Sequence, residues 1–152
     1  MRKVSKSEEL SLDSSATHLL EECRMVLPGI QALFGFQLIA VFSPGFSEKL
    51  SSGEQELHFV SIVLVVISVA LVMAPAAIHR QRDPFSISDR FVYLASRLLL
   101  LSMWPLAVSL CLDVYLIARI IFNSMKLGLL VSASLFILFL GLWFMLPRKE
   151  HK

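Results

Sequence analysis

Four apolar stretches, each close to the length that crosses a bilayer, divide this chain of 152 residues. A helix needs about 20 apolar residues to traverse the hydrocarbon core. The stretches run over 26–42, 59–78, 94–116 and 127–146. The first is short by itself, but its helix can begin near Ala16; the third can reach Phe122; the fourth is stopped by Pro147, Arg148 and Lys149. With 56% hydrophobic residues and a mean hydropathy of +0.72, the chain has too little polar surface to wrap a water-soluble core of this size. Barrel strands would alternate polar and apolar residues, which these blocks do not, so the spans read as helices. No removable signal peptide is expected, because polar residues fill the first twenty-five or so positions.

Charge sets the expected threading. Eleven of the fourteen Lys and Arg fall on the face carrying the N-terminus, the second connection and the tail; only Lys49, Arg119 and Lys126 fall on the other. The positive-inside rule then places both termini in the cytoplasm. The expected fold class is all-α, an integral membrane four-helix bundle with N-in/C-in topology. Residues 1–13 are expected to be a disordered cytoplasmic segment, 14–146 a transmembrane domain with helices over about 16–42, 53–79, 87–122 and 125–146, and 147–152 a basic cytoplasmic tail. Ser51, Ser52, Gly53 and Glu54 spell a capping box before the second span. Asp83-Pro84, Ser86 or Ser88 offer caps for the third. Asn123 and Ser124 signal a tight turn between the third and fourth.

At about 100° per residue, polar and small side chains line up on three of the four spans. Glu21, Arg24, Pro28, Gln31 and Gly35 share a face of the first; His58, Ser61, Ser68, Pro75 and His79 share one of the second; Ser102, Pro105, Ser109 and Asp113 share one of the third. On the fourth, Gly128, Ser132, Ser134 and Gly141 scatter. Polar groups facing lipid are costly, so the first three spans are expected to converge on a common interior and the fourth to be more peripheral. Small residues and hydroxyls need no explanation beyond close helix packing. Ionisable ones do. Asp113 lies within the third span, where desolvation favours the neutral acid and suits proton exchange; His58 and Arg119 are its candidate partners. The candidate polar or ion pathway is thus Gln31, His58, Ser68, Ser109 and Asp113. A cytoplasmic charge cluster of Glu21, Glu22, Arg24, His79 and Arg80 can form where the first two spans meet, with Glu21 and Arg24 spaced to pair. Pro28, Pro75 and Pro105 permit kinks in three spans.

Several classes are excluded or disfavoured. A net charge of +2 gives nucleic-acid binding no electrostatic basis. Cys23 and Cys111 fit no zinc or disulfide spacing and read as small buried side chains. No catalytic constellation, metal motif or cofactor-binding loop appears, so neither an enzyme nor a cofactor is expected. The expected partners are the lipid bilayer and, if the chain conducts, further copies of itself.

Glu22, Cys23 and Arg24 followed by Leu27-Pro28-Gly29-Ile30-Gln31-Ala32-Leu33-Phe34-Gly35-Phe36, together with Ala74-Pro75-Ala76-Ala77-Ile78-His79-Arg80, resemble two motifs of a family of small bacterial four-pass membrane proteins of unknown function. The resemblance runs from about His18 to Leu146 and implies a bacterial inner-membrane location. Some members carry an automatic sodium/proton-antiporter label. It also implies that Glu22, Arg24, Gln31, Pro75, His79 and Arg80 occupy motif positions, whereas helical phase pairs Arg24 with Glu21 and turns Glu22 nearly opposite. Two functions compete: a small transporter or ion/proton-translocating component using the polar seam, and a non-transporting accessory or scaffold protein in which the seam is helix packing.

Overall fold

A computed structural model of the chain describes the backbone of residues 6–82 and 88–145 and the side chains of residues 14–81 and 88–145. The described residues are all-α: α1 (Lys6–Val41), a short α2 (Pro44–Lys49), α3 (Ser52–Arg82), α4 (Asp89–Phe122) and α5 (Met125–Leu140), which runs into a π-helical turn at Gly141–Met145. Four segments, Ser14–Val41, Ser52–Gln81, Asp89–Phe122 and Met125–Met145, are long and apolar enough to cross a membrane. This is the make-up of a multi-pass membrane protein.

Helix boundaries depart from the sequence expectation in physically readable ways. α1 begins at Lys6, not near Ala16, so residues 6–13, expected to be disordered, are helical. Glu8, Glu9, Leu10 and Leu12 are good helix formers and carry the first turns ahead of the apolar run. Residues 1–5, the Asp83-Pro84 and Ser86 caps, and the basic tail lie outside the described residues. Ser88 accepts a hydrogen bond from the Phe91 amide at 3.3 Å and caps α4. The capping box before α3 forms by half: Glu54 Oε2 reaches back to the Ser51 amide at 2.8 Å, but the Ser51 hydroxyl donates to that same carboxylate instead of accepting from the helix. α2 was not anticipated, although Ser43 followed by Pro44 is a helix-start signal. Asn123 takes a left-handed φ of 48° and Ser124 caps α5, so two residues turn the chain between α4 and α5.

Burial follows a period of 3.5 residues. α1 buries Ala16, Cys23, Ile30 and Gln37, and α4 buries Ala95, Ser102, Ser109 and Leu116, every seventh residue in each case. α3 buries Glu54, His58, Ser61, Val65, Ser68, Val72 and Pro75 in alternating steps of four and three. That repeat is the signature of left-handed helix packing.

The chain divides into two compact units. One comprises Met1–Leu33 and Val66–Trp104. Within it the Ser68 hydroxyl donates to the Ser102 carbonyl at 2.8 Å, tying α3 to α4, and Ser102 donates within its own helix to Leu99. His79 lies against the Phe91 ring at 5.4 Å. The other unit comprises Phe34–Val65 and Pro105–Lys152. Here α5 approaches α4 closely: Gly128 is buried, and a Cβ there would stand 3.2 Å from the Tyr115 ring and carbonyl. One turn later the Ser132 hydroxyl donates to the Cys111 carbonyl at 2.8 Å. Gly128 and Ser132 therefore share a face that the scatter of polar residues on this span concealed.

Candidate functional site: a buried polar cluster around Asp113

The polar residues of the second unit gather at one point, and α1 supplies its centre. Gln37 is 4% exposed and projects its amide between α3 and α4. Its Nε2 lies 2.6 Å from Asp113 Oδ2, 2.7 Å from Ser61 Oγ and 3.1 Å from Ser109 Oγ. An amide nitrogen has two hydrogens for these three acceptors, and the two shorter contacts take them. The Ser61 hydroxyl donates to Asp113 Oδ1 at 2.7 Å, and the Ser109 hydroxyl donates to the Ser61 carbonyl at 3.0 Å. Each hydroxyl proton and amide proton thus has a place. Gln37 Oε1 does not: among the described residues nothing donates to it.

His58 completes the cluster. Its Nε2 is 3.0 Å from the Gln37 backbone carbonyl, which can only accept, so Nε2 carries a hydrogen. Its Nδ1 lies 3.5 Å from Asp113 Oδ1. The ring is held edge-on against Phe46 of α2 at 5.3 Å. With the first nitrogen fixed as a donor, the second faces a carboxylate oxygen with either a lone pair or a proton. A lone pair there repels; one proton shared by the couple makes the contact attractive, whether it rests on the imidazole or on the acid.

A second charge pair sits four residues before His58 on α3. Arg119 Nε meets Glu54 Oε1 at 2.6 Å. Glu54 is in the first turn of α3 and Arg119 in the last turn of α4, so each charge complements its helix dipole. Arg119 was a sequence candidate for Asp113; the structure gives it to Glu54 and leaves Asp113 with His58.

Of the candidate pathway residues, His58, Ser109 and Asp113 meet in this cluster, and Ser68 pairs with Ser102 in the other unit. Gln31 does not face inward. It is exposed, a correction to the expected seam of the first span: the buried face of α1 runs through Ile30 and Gln37, about 100° around the helix from Gln31. Gln37 was overlooked by sequence reasoning. Its signal was available, because it is the lone polar residue between Gly35 and Ser43. The charge cluster does not assemble. Glu21, Glu22, Arg24 and Arg80 are exposed, Glu21 pairs with His18 at 3.7 Å, and no ion pair among the described residues joins α1 to His79 or Arg80. The exposed carboxylates on α1 explain this: both Glu21 and Glu22 lie off the buried face carried by Cys23. Cys23 and Cys111 are buried free thiols. Among the described residues no three His, Cys, Asp or Glu side chains group as a metal site.

The chain belongs to a family of unknown function, DUF6328. The match spans residues 5–147, so it includes every residue of the Asp113 cluster and all four apolar helices. Neither a curated protein nor a solved structure matches the chain. Membership in this family therefore brings no assigned chemistry, and the cluster's own geometry carries the functional argument.

Proposed function

We propose that this chain is a proton-handling membrane protein, a small transporter or ion/proton-translocating component, and that the His58–Asp113 couple holds its exchangeable proton. The observation that carries the reading is the donor assignment at His58. The Gln37 carbonyl reserves Nε2 as a donor, so Nδ1 and Asp113 Oδ1 face each other across 3.5 Å with room for one proton between them. Gln37 and Ser61 each donate to the carboxylate and hold it in place when the proton moves to the imidazole. Packing needs hydroxyls and small side chains; it does not need an acid and an imidazole inside an apolar layer. In this reading the protein lies in a bacterial inner membrane with both termini cytoplasmic, following the Lys and Arg asymmetry of its connections.

A second reading has its own support. Ser61 and Ser109 are fully buried, and the cluster ties α1, α3 and α4 together through hydrogen bonds between helices. A non-transporting accessory or scaffold protein would use the cluster in that way alone. Proteoliposomes carrying a pH-sensitive dye separate the two. The parent chain is expected to dissipate an imposed pH gradient, with or without a sodium gradient as driving force, and Asp113→Asn to abolish that flux. Absent flux in the parent, or equal flux in Asp113→Asn, would leave the scaffold reading.

A further inference from the structure

The exposed face of α1 carries groups that a lipid surface does not explain. The apolar run 26–42 is centred on Phe34, and Gln31 lies three residues from that centre, about 4.5 Å along the axis. An exposed amide at that depth has only acyl chains to meet, where its donors and acceptor go unsatisfied. It does not stand alone. Glu21, Arg24, Pro28, Gln31 and Gly35 follow one another in steps of three and four, the repeat that marks the buried seam of α3, but here four of the five are exposed and Gly35 is half-buried. A Cβ at Gly29 or Gly35 would touch nothing within 4 Å, so the chain's own packing does not require glycine at either place. α5 makes an instructive contrast. Its outward side chains, such as Leu130 and Ile137, are apolar and suit lipid.

We infer that this face of α1 is the contact surface for a second copy of the same chain, with α1 paired in parallel about a rotation axis along the membrane normal. Identical copies thread the membrane identically, so each residue meets its counterpart at its own depth. Gln31 then faces Gln31 of the partner subunit, and a carboxamide is self-complementary because it both donates and accepts. At the edge of the apolar run, Glu21 of one copy comes within a turn of Arg24 of the other, an opposite-charge pair repeated by symmetry. Gly35 and Pro28 let the backbones approach. A different protein would need its own amide and charge pair at matching depths; a second copy has them by construction.

The test uses the full-length chain in bilayers at low protein density, with donor and acceptor dyes on separate copies. Energy transfer above the random-proximity level is expected for the parent and for Gln31→Asn. Gln31→Leu should lower the association constant by roughly threefold to thirtyfold, the range of a bilayer hydrogen bond of about 0.6 to 2 kcal/mol. Gln31→Cys should crosslink between copies under mild oxidation, and Ile137→Cys should not. Because Gln31→Leu only adds apolar surface to an exposed site, loss of fold does not confound it, and circular dichroism provides the check. A monomeric parent, unchanged association in Gln31→Leu, or equal crosslinking at positions 31 and 137 would overturn the inference.

Discussion

Of two glutamines six residues apart on one helix, only the inner one should destabilise the monomer when replaced by leucine. Gln37→Leu keeps volume and helix propensity but removes the donors to Asp113 Oδ2 and Ser61 Oγ, at 2.6 and 2.7 Å. Hydrogen bonds between helices in bilayers average about 0.6 kcal/mol and reach about 1.7 kcal/mol, and the one to the carboxylate belongs at the upper end. Stripping Asp113 Oδ2 of its donor adds about 1 to 3 kcal/mol for a buried acceptor left unpaired. One term opposes these losses: Gln37 Oε1 is already without a donor, and removing it relieves a penalty of about 1 kcal/mol or more. The balance is a destabilisation of about 2 to 4 kcal/mol. Gln31→Leu alters an exposed side chain with no buried partner, so the monomer should stay within about 0.5 kcal/mol of the parent. Unfolding by added SDS in bicelles, followed by circular dichroism at protein concentrations low enough to keep copies apart, measures both. A parent-like Gln37→Leu, or a Gln31→Leu that unfolds more readily, would refute the assignment of the inward face of α1.

Two further outcomes follow from the same geometry. Glu54→Gln and Arg119→Met should each destabilise, and their double-mutant cycle should return a coupling of about 1 kcal/mol or more, because Glu54 is mostly buried while Arg119 keeps some contact with solvent; additive effects would show the pair to be idle. Gly128→Ala should cost about 1 to 3 kcal/mol, since its Cβ would press on the Tyr115 carbonyl at 3.2 Å, whereas Gly29→Ala meets nothing and should leave monomer stability at or above the parent's; the same bicelle unfolding ranks the two.

The legible and illegible parts of this chain divide along a physical line. Hydropathy revealed four spans because lipid demands a long apolar run from any helix that crosses it. Seams on α3 and α4 were legible as well: Ser61, Ser68, Ser102 and Ser109 fall on narrow stripes with apolar flanks, and all four are buried. Sequence reasoning failed on α1, where it assumed that every polar residue in a span turns toward its own chain. That premise holds for a helix whose partners all belong to one polypeptide. α1 carries two heptad-spaced faces, one through Ile30 and Gln37 and one through Pro28 and Gln31. Counting polar residues favours the second, which has three in Glu21, Arg24 and Gln31, over the first, which has one in Gln37. Packing prefers the first, because Ala16, Cys23 and Ile30 present small or branched apolar surfaces that fit between neighbouring helices, and a single amide at Gln37 can be satisfied there by Ser61 and Asp113. The rule that recovers the right face is satisfiability, not polarity. A polar residue belongs inside when complementary groups exist at its depth on the adjoining helices. Gln37 has them in Ser61, Ser109 and Asp113, whereas for the exposed Gln31 the complement inferred above is a second copy of the chain.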